Sequence, residues 1–144
     1  MDSQATVASL QICPETRQPM RPVASARAVE NLGLEGDRHA KADSKRQVLL
    51  MEAETLEKLG LRVGDVKENI TTRGIALMSL PVGARLRIGQ AVFEITDVCH
   101  PCSRMDELRP GLRETLSGQR GMLARVAQGG TLRVGDSIVV EASS

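Results

Sequence analysis

Two of the three cysteines in this chain form a Cys-X-X-Cys pair, which is the most chemically distinctive feature of the sequence. The pair is Cys99 and Cys102, in a segment that follows a predicted strand and precedes a predicted helix. A thiolate at such a junction would be favoured by unpaired backbone N–H groups, by the helix dipole and by the charge of Arg104. With Cys13 the count is odd, which in a reducing compartment indicates free thiols, a redox pair or metal ligands.

The spacing alone leaves four interpretations of this pair open. A thioredoxin-like redox pair would require a βαβ context, which the sequence around Cys99 and Cys102 lacks. A zinc site would need two more ligands, and only Cys13 and His39 remain, without a recognisable spacing. One cysteine could instead bind a soft metal within a cofactor. Both could equally be buried thiols without chemistry, because cysteine is among the most buried residue types.

Two further segments could take part in binding. Residues 33–40, GLEGDRHA, carry Arg38 and His39 on a glycine-rich loop whose backbone N–H groups could face an anion. Residues 68–74, ENITTRG, contain Asn69. A solvated surface turn is the alternative for the first segment, and an asparagine that only stabilises a turn is the alternative for the second.

The elements that would position these residues are mainly strands. Candidate strands cover Thr6–Ile12, Ser25–Val29, Gln47–Met51 and Met122–Val126. Helical signals are few, and they cover Glu52–Leu59 and Ser103–Leu108, with a further turn over Leu112–Leu116.

A recurring L-R-[VI]-G-[DQ] pattern occurs at residues 61–65, 86–90 and 132–136. Each copy ends in a Gly-X pair, which is typical of a two-residue hairpin turn. Around residues 89–90 and again around 135–136, period-two alternation on both sides of the turn predicts an antiparallel hairpin. Many short strands with glycine-rich turns and no linker predict one mainly β domain over residues 1–144, a β-barrel with a few short helices.

Composition excludes several classes of function. The 144 residues include 19 basic and 18 acidic side chains, so a nucleic-acid-binding surface is not expected. Phe93 is the sole aromatic residue, which argues against stacking platforms and aromatic cages. No apolar run approaches the roughly 20 residues of a membrane span. We find no secretory signal pattern and expect a cytoplasmic protein.

Taken together, the segments resemble the MOSC domain family, named for the C-terminal domain of molybdenum cofactor sulfurases, and in particular its short, stand-alone bacterial members. The resemblance covers residues 20–141. It is carried by GLEGDRHA at 33–40, RQVLLME at 46–52, ENITTRGI at 68–75, LPVGARLRIGQAVFEIT at 80–96, Pro101-Cys102 and RGMLARV at 120–126.

The resemblance implies a barrel-like domain with one functional cysteine. In the family this is the cysteine of the Pro-Cys motif, which matches Cys102, and it is a ligand to the metal of the molybdenum cofactor or carries sulfur. Arg38, His39 and Asn69 lie in matching motifs and are candidates for the cofactor-binding rim. Arg104 and Arg125 are added on charge and position alone.

Characterised relatives reduce N-hydroxylated compounds with electrons from a separate donor protein. The resemblance therefore implies a molybdenum-dependent oxidoreductase acting on a small molecule. The alternative is a carrier or binding module in which Cys102 holds a persulfide received from a sulfur donor protein, and a barrel with inert cysteines is the third possibility. We expect no pyridoxal-phosphate domain within these 144 residues, and an open sheet edge would allow a homodimer.

Overall fold

Strands are the dominant secondary structure in the computed structural model, which describes residues 4–15 and 18–141. In chain order the strands are β1 (Thr6–Ile12), β2 (Arg21–Val23), β3 (Ser25–Val29), β4 (Gly33–Leu34), β5 (Val48–Glu52), β6 (Ile70–Arg73), β7 (Arg85–Ile88), β8 (Ala91–Val98), β9 (Met122–Gln128), β10 (Gly130–Arg133) and β11 (Ile138–Glu141). The helices are α1 (Ala53–Lys58), α2 (Ser103–Leu108) and α3 (Leu112–Thr115), with a 3-10 helix over Leu77–Ser79. No helix within the described ranges has the length and apolar character needed to cross a bilayer.

The strands form two sheets. The larger has the order β11-β7-β8-β9-β5-β6-β1-β2, and the smaller has the order β10-β3-β4. Neighbouring strands are antiparallel with one exception, the parallel pair β5 and β6. Parallel neighbours need a crossover connection, and here α1 and the segment after it supply one. The sequence predicts β5 and α1 but gives no prediction of β6, so this crossover is found only in the structure.

Most predicted elements are confirmed. Strands β1 and β3 and helix α2 have the predicted bounds, whereas β5, α1, α3 and β9 differ by one or two residues. The hairpin at residues 89–90 pairs β7 with β8, placing Leu86 opposite Phe93 and Ile88 opposite Ala91. All four of these side chains are buried, while Arg85 is exposed. The predicted mainly β class is therefore correct.

The third copy of the repeated pattern does not form the hairpin predicted for it, and the first copy forms none either. Residues 61–65 form a turn without strands, and β10 and β11, on either side of the third copy, belong to different sheets. In both copies the aspartate closes the turn locally, because Asp65 accepts the Arg62 backbone N–H at 2.8 Å and Asp136 accepts that of Arg133 at 2.7 Å. The second copy has Gln90 at this position, and its longer side chain bonds to β10 instead.

The larger sheet has two ends, β11 and β2, so the strand ladder does not close on itself. The sheet nevertheless curves enough for β1 to meet the turn that precedes β11. An isolated bridge joins Thr6 and Ser137, and the Val7 backbone exchanges hydrogen bonds with Gly135 and Asp136. The pairing thus establishes a curved, mainly β domain but does not establish the predicted barrel.

Two hydrophobic clusters fix the elements around the predicted site. The main cluster fills the curved sheet and contains Phe93 and the inward residues of its neighbouring strands. The second lies between α1, α2 and α3 and includes Leu56, Met105 and Leu112. Because Met105 is buried in this second cluster, it holds α2 in place and sets the position of Cys102 at the start of that helix.

Candidate functional site

A cavity of about 830 Å³, which we call the outer cavity, opens where several loops meet helix α2. Four of the predicted site residues line it: Arg38, His39, Cys102 and Arg104. They come from two distant parts of the chain, so the fold brings together residues that the sequence could only propose separately. The volume lies within the range of roughly 300–1,000 Å³ that small-molecule sites occupy.

The two cysteines of the Cys-X-X-Cys pair have different environments. Cys102 is exposed and lies in extended conformation immediately before α2. Cys99 is 4% exposed and packs against Leu49 and Leu123. Burial raises the pKa of the Cys99 thiol, although the positive charges of Arg120 and Arg46 oppose this effect. Cys102 is therefore the thiol that a ligand or partner can reach.

The loop that carries Arg38 and His39 is organised by a buried carboxylate. Asp37 accepts the Cys13 backbone N–H at 2.7 Å and lies 3.1 Å from the His39 ring Nδ1. Burial opposes the charged form of Asp37, but hydrogen bonds from His39 and Cys13 outweigh it and lower the pKa of this carboxyl. Arg38 follows with an exposed side chain, and its backbone N–H donates to the Cys13 carbonyl at 2.7 Å.

Three more cationic residues line the outer cavity, and the sequence analysis did not select them: Arg46, Lys67 and Arg120. The carboxylates in the wall are those of Asp65 and Glu107. Among the described residues, none of the five arginine and lysine side chains in the wall forms an ion pair. A chain with a net charge of +1 thus concentrates unpaired positive charge at one cavity.

Arg120 is the most unusual of these cations because it is only 6% exposed. Its Nη2 donates to the Val66 carbonyl at 2.6 Å, whereas Nε and Nη1 are buried and have no partner among the described residues. The next residue, Gly121, has φ of +115°, and a Cβ there would collide with the Leu50 carbonyl. The Arg-Gly pair in RGMLARV was the sequence signal that could have identified this residue.

A smaller cavity of about 100 Å³, the inner cavity, shares His39, Arg46, Lys67 and Arg120 with the outer one. Asn69, a predicted rim residue, lines the inner cavity, but its side chain is engaged within the fold. Its Oδ1 accepts the Leu49 backbone N–H at 3.0 Å, and its Nδ2 donates to the Gln11 carbonyl at 3.3 Å. Asn69 thus connects β1 to β5 and contributes to the wall of the inner cavity.

Arg125 lies apart from the other candidates. Its guanidinium is 3.2 Å from the Glu94 carboxylate, which also binds Arg85 at 3.2 Å. It lines neither the outer nor the inner cavity. Arg125 was chosen for its charge, and in the structure this charge pairs with Glu94 in β8, which also pairs with Arg85 in β7.

The zinc and redox interpretations of the cysteine pair gain no support from the fold. Within residues 4–15 and 18–141, no group of three or more histidine, cysteine or acidic side chains is arranged to hold a metal ion. Cys13 is buried and its thiol donates to the Glu15 carbonyl at 3.0 Å. The strands on either side of the Cys-X-X-Cys segment, β8 and β9, are antiparallel, so the βαβ context of a thioredoxin-like motif is absent there.

Fold and site together define a class: a small, mainly β domain that presents an exposed thiol beside a cation-lined pocket. The chain belongs to the MOSC domain family, whose profile matches residues 36–139. This match confirms the resemblance seen in the sequence. It covers the loop of Arg38 and His39, the Pro-Cys motif and the Arg-Gly pair.

Solved structures show the same fold at low sequence identity. The YuaD protein from Bacillus subtilis superposes with a TM-score of 0.84 at 20% identity, covering 99% of this chain and 98% of that one. YiiM from Geobacillus stearothermophilus gives 0.76 at 20% identity, covering 96% and 75% of the two chains. YiiM from Escherichia coli gives 0.73 at 16% identity, covering 96% and 71%. Comparison with curated proteins yields no significant match.

Proposed function

We propose that this MOSC domain protein binds molybdenum cofactor in the outer cavity, with Cys102 as a ligand to the metal, and reduces N-hydroxylated compounds. The observation that carries the proposal is the exposed Cys102 thiol in the wall of a cavity that also contains Arg38, His39 and Arg120. A soft thiolate suits a metal held by dithiolene sulfurs, and clustered cations suit the phosphate of the pterin.

The residues present fit such a group. The cavity volume of about 830 Å³ is large enough for a pterin with its phosphate. Arg120 has two buried nitrogen atoms without a partner among the residues that the structure describes, and an anionic group could satisfy them. Pro19, Met20, Val63 and Leu108 give the same cavity an apolar side, against which a ring system can pack. An apolar wall combined with a few convergent polar groups is typical of cofactor sites.

When bound, the cofactor supplies the two-electron metal chemistry, while the protein binds and orients the cofactor and the substrate and shields them from water. Reduction of a hydroxylamine to an amine breaks the N–O bond, consumes two electrons and two protons, and releases water. A separate electron donor provides the electrons in this proposal. Asp37 engages Nδ1 of His39, which leaves Nε2 as the ring nitrogen available to contact a ligand.

The decisive test compares two cysteine variants purified from a host that makes molybdenum cofactor. Cys102→Ser is expected to abolish retention of molybdenum and pterin, measured by elemental analysis and pterin fluorescence. Cys99→Ser is the matched control and should retain most of both, because Cys99 is buried against Leu49 and Leu123. Equal loss in the two variants would contradict the assignment of Cys102 as the single ligand.

Activity provides the second part of the test. Loaded protein, given an artificial electron donor, should convert a hydroxylamine or an amidoxime to the amine or amidine. This turnover should require Cys102, because its thiolate completes the coordination of the metal and tunes its potential. Loaded protein that retains molybdenum but converts neither substrate would contradict the reductase proposal.

The exposure of Cys102 also favours a second function, that of a sulfur carrier. In this case the Cys102 thiolate attacks the outer sulfur of a persulfide on a donor protein. A new S–S bond forms at Cys102 as the donor S–S bond breaks, and the donor thiolate leaves. Labile sulfur on Cys102 after incubation with a cysteine desulfurase and cysteine, without bound pterin or reductase turnover, would favour this function over the first.

A further inference from the structure

The segment over residues 38–46, which we call the cationic loop, concentrates positive charge beside the mouth of the outer cavity. Its basic side chains are those of Arg38, Lys41, Lys45 and Arg46. All four are exposed, and none forms an ion pair with a described residue. The acidic side chain of the loop, Asp43, is engaged by the Asn31 side-chain amide at 2.7 Å. Four positive charges and one negative charge give this loop a net charge of +3, in a chain whose net charge is +1.

Two of these basic residues, Lys41 and Lys45, line neither the outer nor the inner cavity. Their backbone is nevertheless held by the fold. The Gln47 side-chain amide donates to the Lys41 carbonyl at 3.1 Å, and the Thr96 hydroxyl donates to the Lys45 carbonyl. The two lysines therefore present charge from a fixed backbone at the outside of the site, where a small molecule bound within the cavity does not require them.

The mouth of the outer cavity also carries exposed apolar residues. Val63 and Leu108 line this cavity and are 51% and 45% exposed. Cys102, the exposed thiol, lies in the same wall. Apolar residues next to a charged rim are the usual composition of a surface that binds another protein.

We propose that the cationic loop and the apolar residues of the mouth form a docking surface for a small acidic redox protein, which delivers electrons to the outer cavity. This inference rests on the proposed function, because that function requires a separate electron donor. Electron transfer slows steeply with distance, so the donor has to dock where Cys102 is exposed. Carboxylates around the redox centre of the donor would complement the cationic loop, and opposite charges speed the encounter and orient the two proteins.

The electrons balance with a donor that carries one electron at a time. Two donor molecules are oxidised for each N–O bond that is reduced. Two protons are taken up from solvent, and the products are the amine and water. A one-electron donor must therefore dock and leave twice in each turnover, which suits a small, charge-guided and short-lived interface.

The first experiment measures binding of the full chain to an acidic flavodoxin, with the basic cytochrome c as a control of opposite charge. We expect flavodoxin alone to bind, with an affinity that falls as sodium chloride is added, because salt screens exposed charges. The double variant Lys41→Glu/Lys45→Glu should weaken this binding about tenfold, as expected for reversal of two exposed charges. The matched control is Arg27→Glu/Arg133→Glu, which makes the same change in net charge on the exposed side chains of the smaller sheet and should leave the affinity almost unchanged.

Three results of this binding experiment would overturn the docking surface. The first is absence of salt-dependent binding to flavodoxin. The second is an equal effect of the two double variants, which would show only a dependence on net charge. The third is binding to phosphatidylglycerol vesicles that requires Lys41 and Lys45, without binding to flavodoxin, which would assign the cationic loop to a membrane surface.

The second experiment measures turnover of a hydroxylamine by cofactor-loaded protein with two donors. With reduced methyl viologen, a small donor that needs no docking surface, Lys41→Glu/Lys45→Glu should match the wild type, because neither lysine lines the cavities. With reduced flavodoxin at a limiting concentration, its rate should fall about tenfold. An unchanged rate with flavodoxin would disprove the docking surface and leave the proposed function intact. Absence of turnover with methyl viologen would instead disprove the proposed function, and the binding experiment would then decide the docking surface by itself.

Discussion

The ring of His39 lies 3.1 Å from the Asp37 carboxylate, through Nδ1 and Oδ2, and the Asp37 side chain is completely buried. The same carboxylate accepts the backbone N–H groups of Cys13 and His39. One acidic side chain therefore joins the loop of the outer cavity to the end of β1. Asp37 thus holds the loop backbone in position, although the side chains of Arg38 and His39 do not pack into the core.

We predict that Asp37→Asn lowers the free energy of unfolding and makes this free energy less dependent on pH in the acid range. The folded pKa of Asp37 is lowered from its usual 3.8, so its contribution is complete above that value and is lost as the pH falls through the folded pKa. At neutral pH the variant should lose about 1.5–3 kcal/mol, the usual size of hydrogen bonds to a charged group. Urea unfolding between pH 2 and pH 7 measures both effects, and an unchanged acid slope would contradict the role of Asp37.

Glu68 should affect stability in the opposite direction. Burial raises its pKa above the usual 4.5, only partly offset by hydrogen bonds from Gly64 and Thr71 and by the charge of Arg120. Folding favours the protonated form, so the contribution of Glu68 to stability is complete below pH 4.5 and is lost as the pH rises through the folded pKa. Glu68→Gln should remove this fall in unfolding free energy, whereas Glu114→Gln, an exposed control, should preserve it. A wild-type profile without any decrease above pH 4.5 would disprove this prediction.

Thiol labelling should distinguish the three cysteines. The native protein is expected to react rapidly with iodoacetamide at Cys102 and slowly at Cys99 and Cys13, which are 4% and 2% exposed. The raised pKa of Cys99 slows the reaction of this thiol further, because the thiolate is the nucleophile. Peptide mass spectrometry after brief labelling measures the pattern, with denatured protein as the reference for complete reaction. Comparable rates at Cys99 and Cys102 would show that the pair is open to solvent as a unit.

Arg38→Ala should weaken binding of the cofactor without affecting the cofactor-free protein. The Arg38 side chain is exposed and makes no hydrogen bond among the described residues, while its backbone bond to Cys13 survives the substitution. We expect a loss of about 1.5–3 kcal/mol in binding, measured by cofactor release, with an unchanged melting temperature of the cofactor-free chain. A large fall in that melting temperature, with normal retention of the cofactor, would show that the loop has only a structural role.

Local patterns predicted local elements well and their partners poorly. Period-two alternation located the hairpin of β7 and β8, because a strand with one buried face carries that pattern in its own residues. The same alternation predicted a hairpin around residues 135–136, where β10 and β11 in fact pair with strands of different sheets. Strand pairing depends on which distant strand offers a matching edge, and nothing within residues 132–140 encodes that choice.

The sequence by itself determined the family and the mainly β class and selected Cys102 as a candidate, because these depend on short motifs in a particular order. Only the tertiary structure decided which side chains share the site. It placed Arg38, His39, Cys102 and Arg104 around one cavity, and it directed Arg125 to Glu94 instead. It also added the buried Arg120, which was not among the residues selected from the sequence. An arginine in a chain with balanced charge becomes distinctive only when folding removes it from water and leaves two of its nitrogen atoms without a partner in the described part of the chain.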